Sequence, residues 1–368
     1  MKKIFVKKLL IVFGIAALAA VAIFFMTQAQ PKVIEPDPTE IDPKYMVAIE
    51  LGAEWFLNNQ DDNFLHYTYR PYDRSHDPEH HSMREMGAMW SIARLGNWLD
   101  DDRYRDLALK GFEYFERFFM HDRDDDFYFV NITPSKIKLG YNAFAILTLI
   151  ELDYPNKDEI LEKLANGILF QQEETGELRT FFYSKRDTGK DYYPGEALLS
   201  LMALYEYNGE KHYLEAVQKA FPFYREYWRD NPNTAFPPWQ SRAYYKLYKA
   251  TGDNEVRDFI YEMSDYMLEE YNPERVCSDF DFSGGSVAAV HAEGVNMAYD
   301  LSKNECYKNY GKEVADYIIS LQITDTKEFD TPAIGGILGH EDSTSNRVDR
   351  NQHAVLMLMD AYDFGILN

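Results

Sequence analysis

Pro194-Gly195-Glu196-Ala197-Leu198-Leu199-Ser200-Leu201-Met202-Ala203-Leu204-Tyr205-Glu206-Tyr207, then Asn208-Gly209-Glu210, then a second helix-length run from Lys211 to Arg229, is the stretch that decides the fold. Pro suits the first helical turn, where its missing N–H costs nothing. Leu198, Leu201, Met202 and Tyr205 recur at steps of three and four, which puts them on one face of a helix. Asn208-Gly209 is a helix stop, so the chain reads helix, tight turn, helix. A single hairpin of this kind cannot bury its own apolar face and must stack on others.

The same unit recurs in both directions. Met83 to Trp98 is followed by Asp102 to Met120, Gly140 to Leu152 by Lys157 to Gln172, Pro237 to Ala250 by Asn254 to Tyr271, and Ser286 to Leu301 by Cys306 to Leu321. Tyr45 to Asn59 and Val348 to Phe364 are left over, and pairing them across the chain ends makes a sixth hairpin. A spacing of roughly 45 to 60 residues marks a helical repeat. The expectation is all-α, an (α/α)6 toroid of six helical hairpins, with six inner and six outer helices over residues 44–368.

Turns within hairpins are compact, as at Leu99-Asp100-Asp101-Asp102 and Thr251-Gly252-Asp253. Connections between hairpins are long: Gln60 to Ser82, His121 to Leu139, Glu173 to Tyr193 and Thr324 to Asn346. In a ring this alternation gathers every long loop at one end. Loops of more than about 12 to 15 residues usually carry function. These are rich in Tyr, His, Arg and Asp, so that end is the expected functional face.

Residues 1–30 read differently. Lys2, Lys3, Lys7 and Lys8 precede an apolar run from Leu9 to Met26, which suggests an uncleaved signal anchor with the lysines in the cytoplasm and the rest of the chain outside. Cleavage after Ala29 is the alternative and would release a secreted or periplasmic protein. Residues 31–43, rich in Pro and acid, form a linker. A net charge of −23 makes nucleic acid and anionic lipid poor partners. The two cysteines, Cys277 and Cys306, are free to pair in an oxidising compartment, although spacing alone does not say that they meet.

The Tyr193-Pro194-Gly195-Glu196-Ala197 and Leu139-Gly140-Tyr141-Asn142-Ala143 helix starts, with Gly335-Gly336 followed by Arg347, Asp349, Gln352 and His353, resemble those of bacterial six-hairpin glycosidase-like proteins. The resemblance covers most of the chain after about residue 45. It implies a carbohydrate-facing cleft at the mouth of the ring, on a fold shared by hydrolases, lyases and epimerases. The implied ligand is a polysaccharide or oligosaccharide. The apolar N-terminal run makes the membrane a further expected partner, envelope proteins are partners to be considered beside it, and no cofactor is expected.

Candidate chemistry therefore sits where the long loops run into the inner helices. Hydrolysis of a glycoside uses two carboxylates about 5 Å apart for retention, or about 6.5 to 9.5 Å for inversion. Glu196 lies in the first turn of its helix, where the dipole favours the charged form of a base or nucleophile; the alternative is that it caps that helix. Its candidate partners are Glu293 and Asp349. Asp349 lies between Arg347 and Arg350, and an ion pair there would spoil it as an acid.

His353 and His291 are candidate proton carriers or, equally, hydrogen-bonded core residues. The first expectation is an exported glycoside hydrolase; in the alternative lyase or epimerase, Tyr and His would serve as acid and base, and the remaining alternative is a non-catalytic ring that binds glycan or an envelope protein. Tyr141, Tyr193 and Trp239 offer ring faces to a sugar, and Asn142, Gln240 and Gln352 offer amides. Arg84 and Arg347, with Arg70, Arg74, Arg242 and Arg350, either receive acidic groups of a uronate-containing polymer or balance nearby Asp and Glu. Metal motifs fail on inspection. His76, His80 and His81 lack a convincing fourth ligand, and Asp122, Asp124 and Asp126 start a calcium loop that Phe127 interrupts.

Overall fold

A computed structural model describes residues 41–274 and 276–368. The expected anchor and all but the last residues of the linker lie outside the described residues. Among the described residues, no helix is long and apolar enough to cross a membrane.

Twelve helices follow one another among the described residues: α1 (Pro43–Asn58), α2 (Ser82–Leu99), α3 (Asp102–Glu116), α4 (Leu139–Glu151), α5 (Lys157–Phe170), α6 (Tyr193–Asn208), α7 (Lys211–Asp230), α8 (Pro237–Thr251), α9 (Asn254–Tyr271), α10 (Val287–Ser302), α11 (Glu305–Ser320) and α12 (Val348–Asp363). The even-numbered helices pack side by side in the order α2, α4, α6, α8, α10, α12 and back to α2, which closes the inner ring. Odd-numbered helices back each of them from outside, and α1 packs on α12 as the sixth hairpin across the chain ends. The expected toroid is the one observed.

Burial explains which helix lies where. In α4 every residue from Leu139 to Leu149 is buried, so it can only be an inner element. In α7 the buried residues are Tyr213, Ala216, Val217, Ala220, Phe221, Tyr224 and Trp228, one stripe on an otherwise polar helix that fits only against the ring.

Capping separates the two layers as well. Four outer helices start on an Asp or Asn side chain that accepts from the first turn: Asp42, Asp101, Asp253 and Asn304. Inner helices start on His81, Lys138, Tyr192, Phe236, Ser286 and Arg347, and of these only His81 caps its own helix through its side chain. The side chains that begin the other inner helices are thus available for other contacts.

Three of the long connections carry strands where the sequence suggests irregular loops. β1 (Thr68–Arg70) pairs antiparallel with β2 (Ser75–His76) and with β5 (Asn346–Arg347), joining the first and last long loops. β3 (Phe119–Asp122) pairs with β4 (Phe127–Val130). The helix expected to run to Met120 therefore stops at Glu116, because Phe119 and Met120 pair with Val130 and Phe129 instead. The acidic run that begins like a calcium loop is the turn of this hairpin. Asp122 Oδ1 accepts from the backbone of Asp124 at 3.1 Å and Asp125 at 3.3 Å. Among the described residues, no group of three or more His, Cys, Asp or Glu is placed to hold a metal. Cys277 and Cys306 form a disulfide that ties the loop before α10 to the start of α11.

Candidate functional site

A cavity of about 800 Å³ opens at the long-loop end of the ring, and all six inner helices contribute to it near their N-termini. His81, Lys138, Tyr192, Ser286 and Arg347, the residues that precede five of those helices, line it. Sequence reasoning misses Lys138, Tyr192 and Ser286 as site residues. The signal that could have found them is positional: each stands directly before an inner helix.

The floor is aromatic. Trp239 lies 5.4 Å from Phe144, 6.2 Å from Trp90 and 5.8 Å from His353, ring centre to ring centre. Beneath it runs a chain of buried charges. Arg242 donates through Nε to Glu293 Oε2 at 2.9 Å and through Nη2 to Asp360 Oδ2, and Arg94 Nη2 donates to Asp360 Oδ1 at 2.7 Å. Burial disfavours the charge on Asp360, but Arg242 and Arg94 outweigh it and hold that carboxyl below the ordinary aspartate range. Such a chain is tolerated in a ring interior only because each charge has a partner.

At the top of this chain, Glu293 Oε1 meets His353 Nδ1 at 2.8 Å. A carboxylate only accepts, so Nδ1 carries a proton, and in the neutral imidazole Nε2 is the nitrogen with the lone pair. His353 lines the cavity; Glu293, 1% exposed, lies below it. Glu293, expected to act on substrate directly, instead reaches the site through His353, because Arg242 and His353 occupy both its oxygens. His291, on neighbouring α10, also lines the cavity. Its Nδ1 is 2.6 Å from the Tyr271 hydroxyl, and burial together with nearby His353 pushes its pKa down to about 4, so it is neutral at pH 7.

Asp349 lines the cavity but has little free valence. Arg347 grips both oxygens, through Nε at 3.1 Å and Nη2 at 2.8 Å. Arg84 Nε lies 3.4 Å from Oδ2, and the Tyr67 hydroxyl donates to Oδ1 at 3.2 Å. Burial opposes ionisation here, yet Arg84 and Arg347 prevail and keep the pKa below the ordinary value. Asp349 is therefore a fixed anion that positions two arginines, and the ion pair that would spoil it as an acid is the one formed.

Glu196 behaves in the opposite way. It does not cap α6, and its Oε2 has no hydrogen-bond partner. Glu85 shows the contrast, since its Oε1 accepts from the His81 backbone at 2.9 Å and closes the start of α2. Burial pushes the Glu196 pKa up to about 8, with Lys138 opposing, so the group is mainly protonated at pH 7. The helix dipole argues for a charged base; desolvation wins, and Glu196 is an acid. Its neighbour Gly140 is glycine for a steric reason, because a Cβ there would sit 2.0 Å from Glu196 Oε2.

The remaining expectations divide. Arg84, Tyr193, Trp239, His291, Arg347 and Gln352 all line the cavity. Tyr141 does not; it is buried, with Lys138 Nζ 5.4 Å above its ring. Asn142 is structural, donating to the carbonyls of Tyr128 at 2.7 Å and Leu164 at 3.0 Å and so fastening β4 to α5. Gln240 is fully buried below the floor. Of the other arginines, Arg350 lines the cavity, Arg242 belongs to the buried chain, and Arg70 is turned to Asp77 at 2.7 Å.

A scan against protein-family models and a search of curated proteins find no match. Solved structures do match in shape. A GH76 alpha-mannanase of Bacteroides thetaiotaomicron is 13% identical with a TM-score of 0.62, covering 87% of this chain and 96% of its own. A D-mannose isomerase is 12% identical with a TM-score of 0.66, covering 90% and 99%. The cellobiose 2-epimerase of Bacillus thermoamylovorans B4167 is 12% identical with a TM-score of 0.63, covering 87% and 98%. These structures share the (α/α)6 toroid fold of this chain over nearly their full length.

Proposed function

We propose that this protein is a carbohydrate-active enzyme that moves protons on a sugar, an epimerase or isomerase in type, with His353 as the base. The observation that carries the reading is the Nδ1 contact to Glu293 made by the cavity-lining His353, which reserves Nε2 as the nitrogen to act on substrate. In the reaction, Nε2 takes a proton from a carbon beside a carbonyl and the electron pair moves onto the carbonyl oxygen. Delivery of a solvent proton to the opposite face of that carbon, with Nε2 losing its own proton to solvent, gives an epimer; return of the Nε2 proton to the adjacent carbon, as the hydroxyl on the first carbon gives up its proton and becomes the carbonyl, gives an isomer. Glu196, protonated at neutral pH, supplies an O–H for the developing negative oxygen. The likeness to the isomerase and epimerase above supports this as analogy of fold.

A hydrolase is the second reading, favoured by one observation: Glu196 is an acid held in reserve at pH 7, as protonation of a glycosidic oxygen requires. Against it, the only other carboxylate lining the cavity among the described residues is Asp349, whose oxygens are occupied. The pattern of residues 1–30 and the disulfide support an exported location, where the sugars of the envelope or medium are the available substrates.

Incubation with a panel of sugars in deuterated water tests the assignment. Deuterium entering a C–H bond without new reducing ends is expected, and it should vanish in His353→Asn. Reducing ends without deuterium uptake would replace the proposal with the hydrolase.

A further inference from the structure

Across the sequence acid outnumbers base, 61 residues to 38. The cavity inverts that balance: among the described residues, Arg84, Lys138, Arg347 and Arg350 line it against two acids, Glu196 and Asp349. One of those acids, Glu196, is mainly protonated at pH 7. Chance sampling of this composition would make the cavity negative, so the inversion calls for a ligand that needs it.

The cations are also sorted in space. Arg347 and Arg350 come with α12, Arg84 with α2 and Lys138 with α4, and these three helices are consecutive around the ring. The facing arc, α8 and α10, contributes Pro238, Trp239, Val287 and Val290, with Ser286 and the neutral His291 beside them. One wall is therefore cationic and the other uncharged, with His353 one turn below Asp349 on the cationic side. The inner helices add the positive ends of their dipoles to the same space.

Two of the four cations are already spoken for, since Arg84 and Arg347 share Asp349. Among the described residues, neither Lys138 nor Arg350 is within ion-pair distance of a carboxylate. Each is nonetheless held in place. Lys138 Nζ stands over the rings of Tyr141 and Tyr193, at 5.4 and 5.7 Å. Arg350 Nη1 donates to the Ser345 carbonyl at 2.7 Å, and the guanidinium lies so close to Gly339 that a Cβ there would come within 2.7 Å of Cζ. Arg350 thus keeps donors to spare in a fixed orientation, the arrangement that suits a carboxylate.

We infer that the cavity receives an acidic oligosaccharide, whose carboxylates are bound on the cationic arc at two separate places, Lys138 and Arg350, while a C–H face of one ring lies against Trp239. The inference rests on the reading that this cavity binds a sugar, and it holds whichever reaction follows. It also gives Asp349 a purpose: one fixed anion orients Arg84 and Arg347 and leaves the wall net positive.

Titration of the full-length protein with a uronic acid oligosaccharide, its methyl ester, the matching neutral sugar and a sulfated analogue, followed by tryptophan fluorescence at low and high salt, tests it. The free acid should bind roughly tenfold or more tightly than the ester, as expected for loss of charge-assisted hydrogen bonds. Its affinity should fall as salt rises, while that of the neutral sugar should not. Lys138→Met and Arg350→Gln should each reduce the preference for acid over ester, and the two together should remove most of it, while binding of the neutral sugar remains. The comparison of acid with ester uses unaltered protein and stands even where a variant misfolds. Equal binding of acid and ester overturns the inference and leaves the proton-transfer proposal standing. Preference for the sulfated analogue overturns the carboxylate assignment. Tight, salt-sensitive binding of the acid without deuterium exchange supports the inference and removes the proposed reaction instead.

Discussion

His353 Nδ1 and Glu293 Oε1 lie 2.8 Å apart at the floor of the cavity, and the opposite oxygen of the same carboxylate is held by Arg242. The carboxylate fixes both the tautomer and the tilt of the imidazole, so its removal should damage the base without touching substrate. Glu293→Gln is expected to lower kcat by on the order of 10²-fold or more, the range for a disabled general base, with KM little changed. A raised KM with kcat intact, in steady-state assays on the sugar that proves to be turned over, would instead make Glu293 a packing residue.

Glu196 makes the protein's pH behaviour predictable. Its folded pKa, about 8, is raised above the ordinary value of 4.5. Between those values the native state binds more protons than the unfolded chain, so this contribution to stability is fully present below about 4.5 and is lost as pH rises to about 8. Glu196→Gln keeps the neutral form at all pH values. Its Tm relative to wild type should therefore climb between about pH 5 and about pH 9, the window that spans the two pKa values. A difference in Tm that stays flat over that range would mean that Glu196 is charged in the folded protein.

The helical hairpins and their closure across the chain ends were legible because helix period, stop signals and loop lengths all agree on them. The mouth was legible for a related reason: a polar residue at the start of an apolar helix is costly to bury unless it caps that helix or faces a cavity. What failed was the facing of individual side chains. An outer helix such as α7 carries a stripe that orients it, but α4 is buried all round, so nothing in Leu139-Gly140-Tyr141-Asn142 says which side chain looks into the cavity. Asn142 and Gln240 were misplaced for that reason, and Glu293 by one layer. The charge on Glu196 failed for another: desolvation depends on neighbours such as Met83 that are remote in sequence.

Asp360 should matter for stability more than for chemistry. It accepts from Arg94 and Arg242 at once and is 1% exposed. Replacing it with Asn leaves two guanidinium groups without their shared anion, and loss of one member of a buried ion network costs about 3–5 kcal/mol. Because the Asp360 pKa is depressed, its contribution is present above the ordinary aspartate value and is lost as pH falls through the folded value. Urea unfolding at pH 7 should show the full deficit for Asp360→Asn, and at low pH the variant and wild type should converge.

Reduction of the disulfide is expected to loosen the α10 side of the cavity. Cys277 and Cys306 are separated by 29 residues, and Gly284 and Ser286, which line the cavity, lie within the loop they close. A closed loop of that length is worth about 3–4 kcal/mol in the chain-entropy account. Thermal unfolding with and without reductant should register the loss, and Cys277→Ser with Cys306→Ser should reproduce it. An unchanged Tm would show that the bond contributes nothing to the folded state.

Gly140 offers a way to move Glu196 without altering it. Within a helix, Gly to Ala ordinarily gains up to about 1 kcal/mol from propensity alone. Here the new Cβ would lie 2.0 Å from Glu196 Oε2 and 2.2 Å from Met83 Cε, so one or both side chains must shift. Met83 is flexible and can yield, whereas Glu196 has no hydrogen bond at Oε2 to hold it back. Gly140→Ala should therefore stay folded, with far-UV circular dichroism like wild type, while Glu196 moves toward solvent and its pKa falls toward the ordinary value. The alkaline limb of the kcat profile, set near pH 8 by Glu196, should move to lower pH by a unit or more, on the order of what partial relief of burial allows. Were the limb to stay in place while kcat dropped, the clash would be acting on substrate placement, and Glu196 would lose its role as the acid.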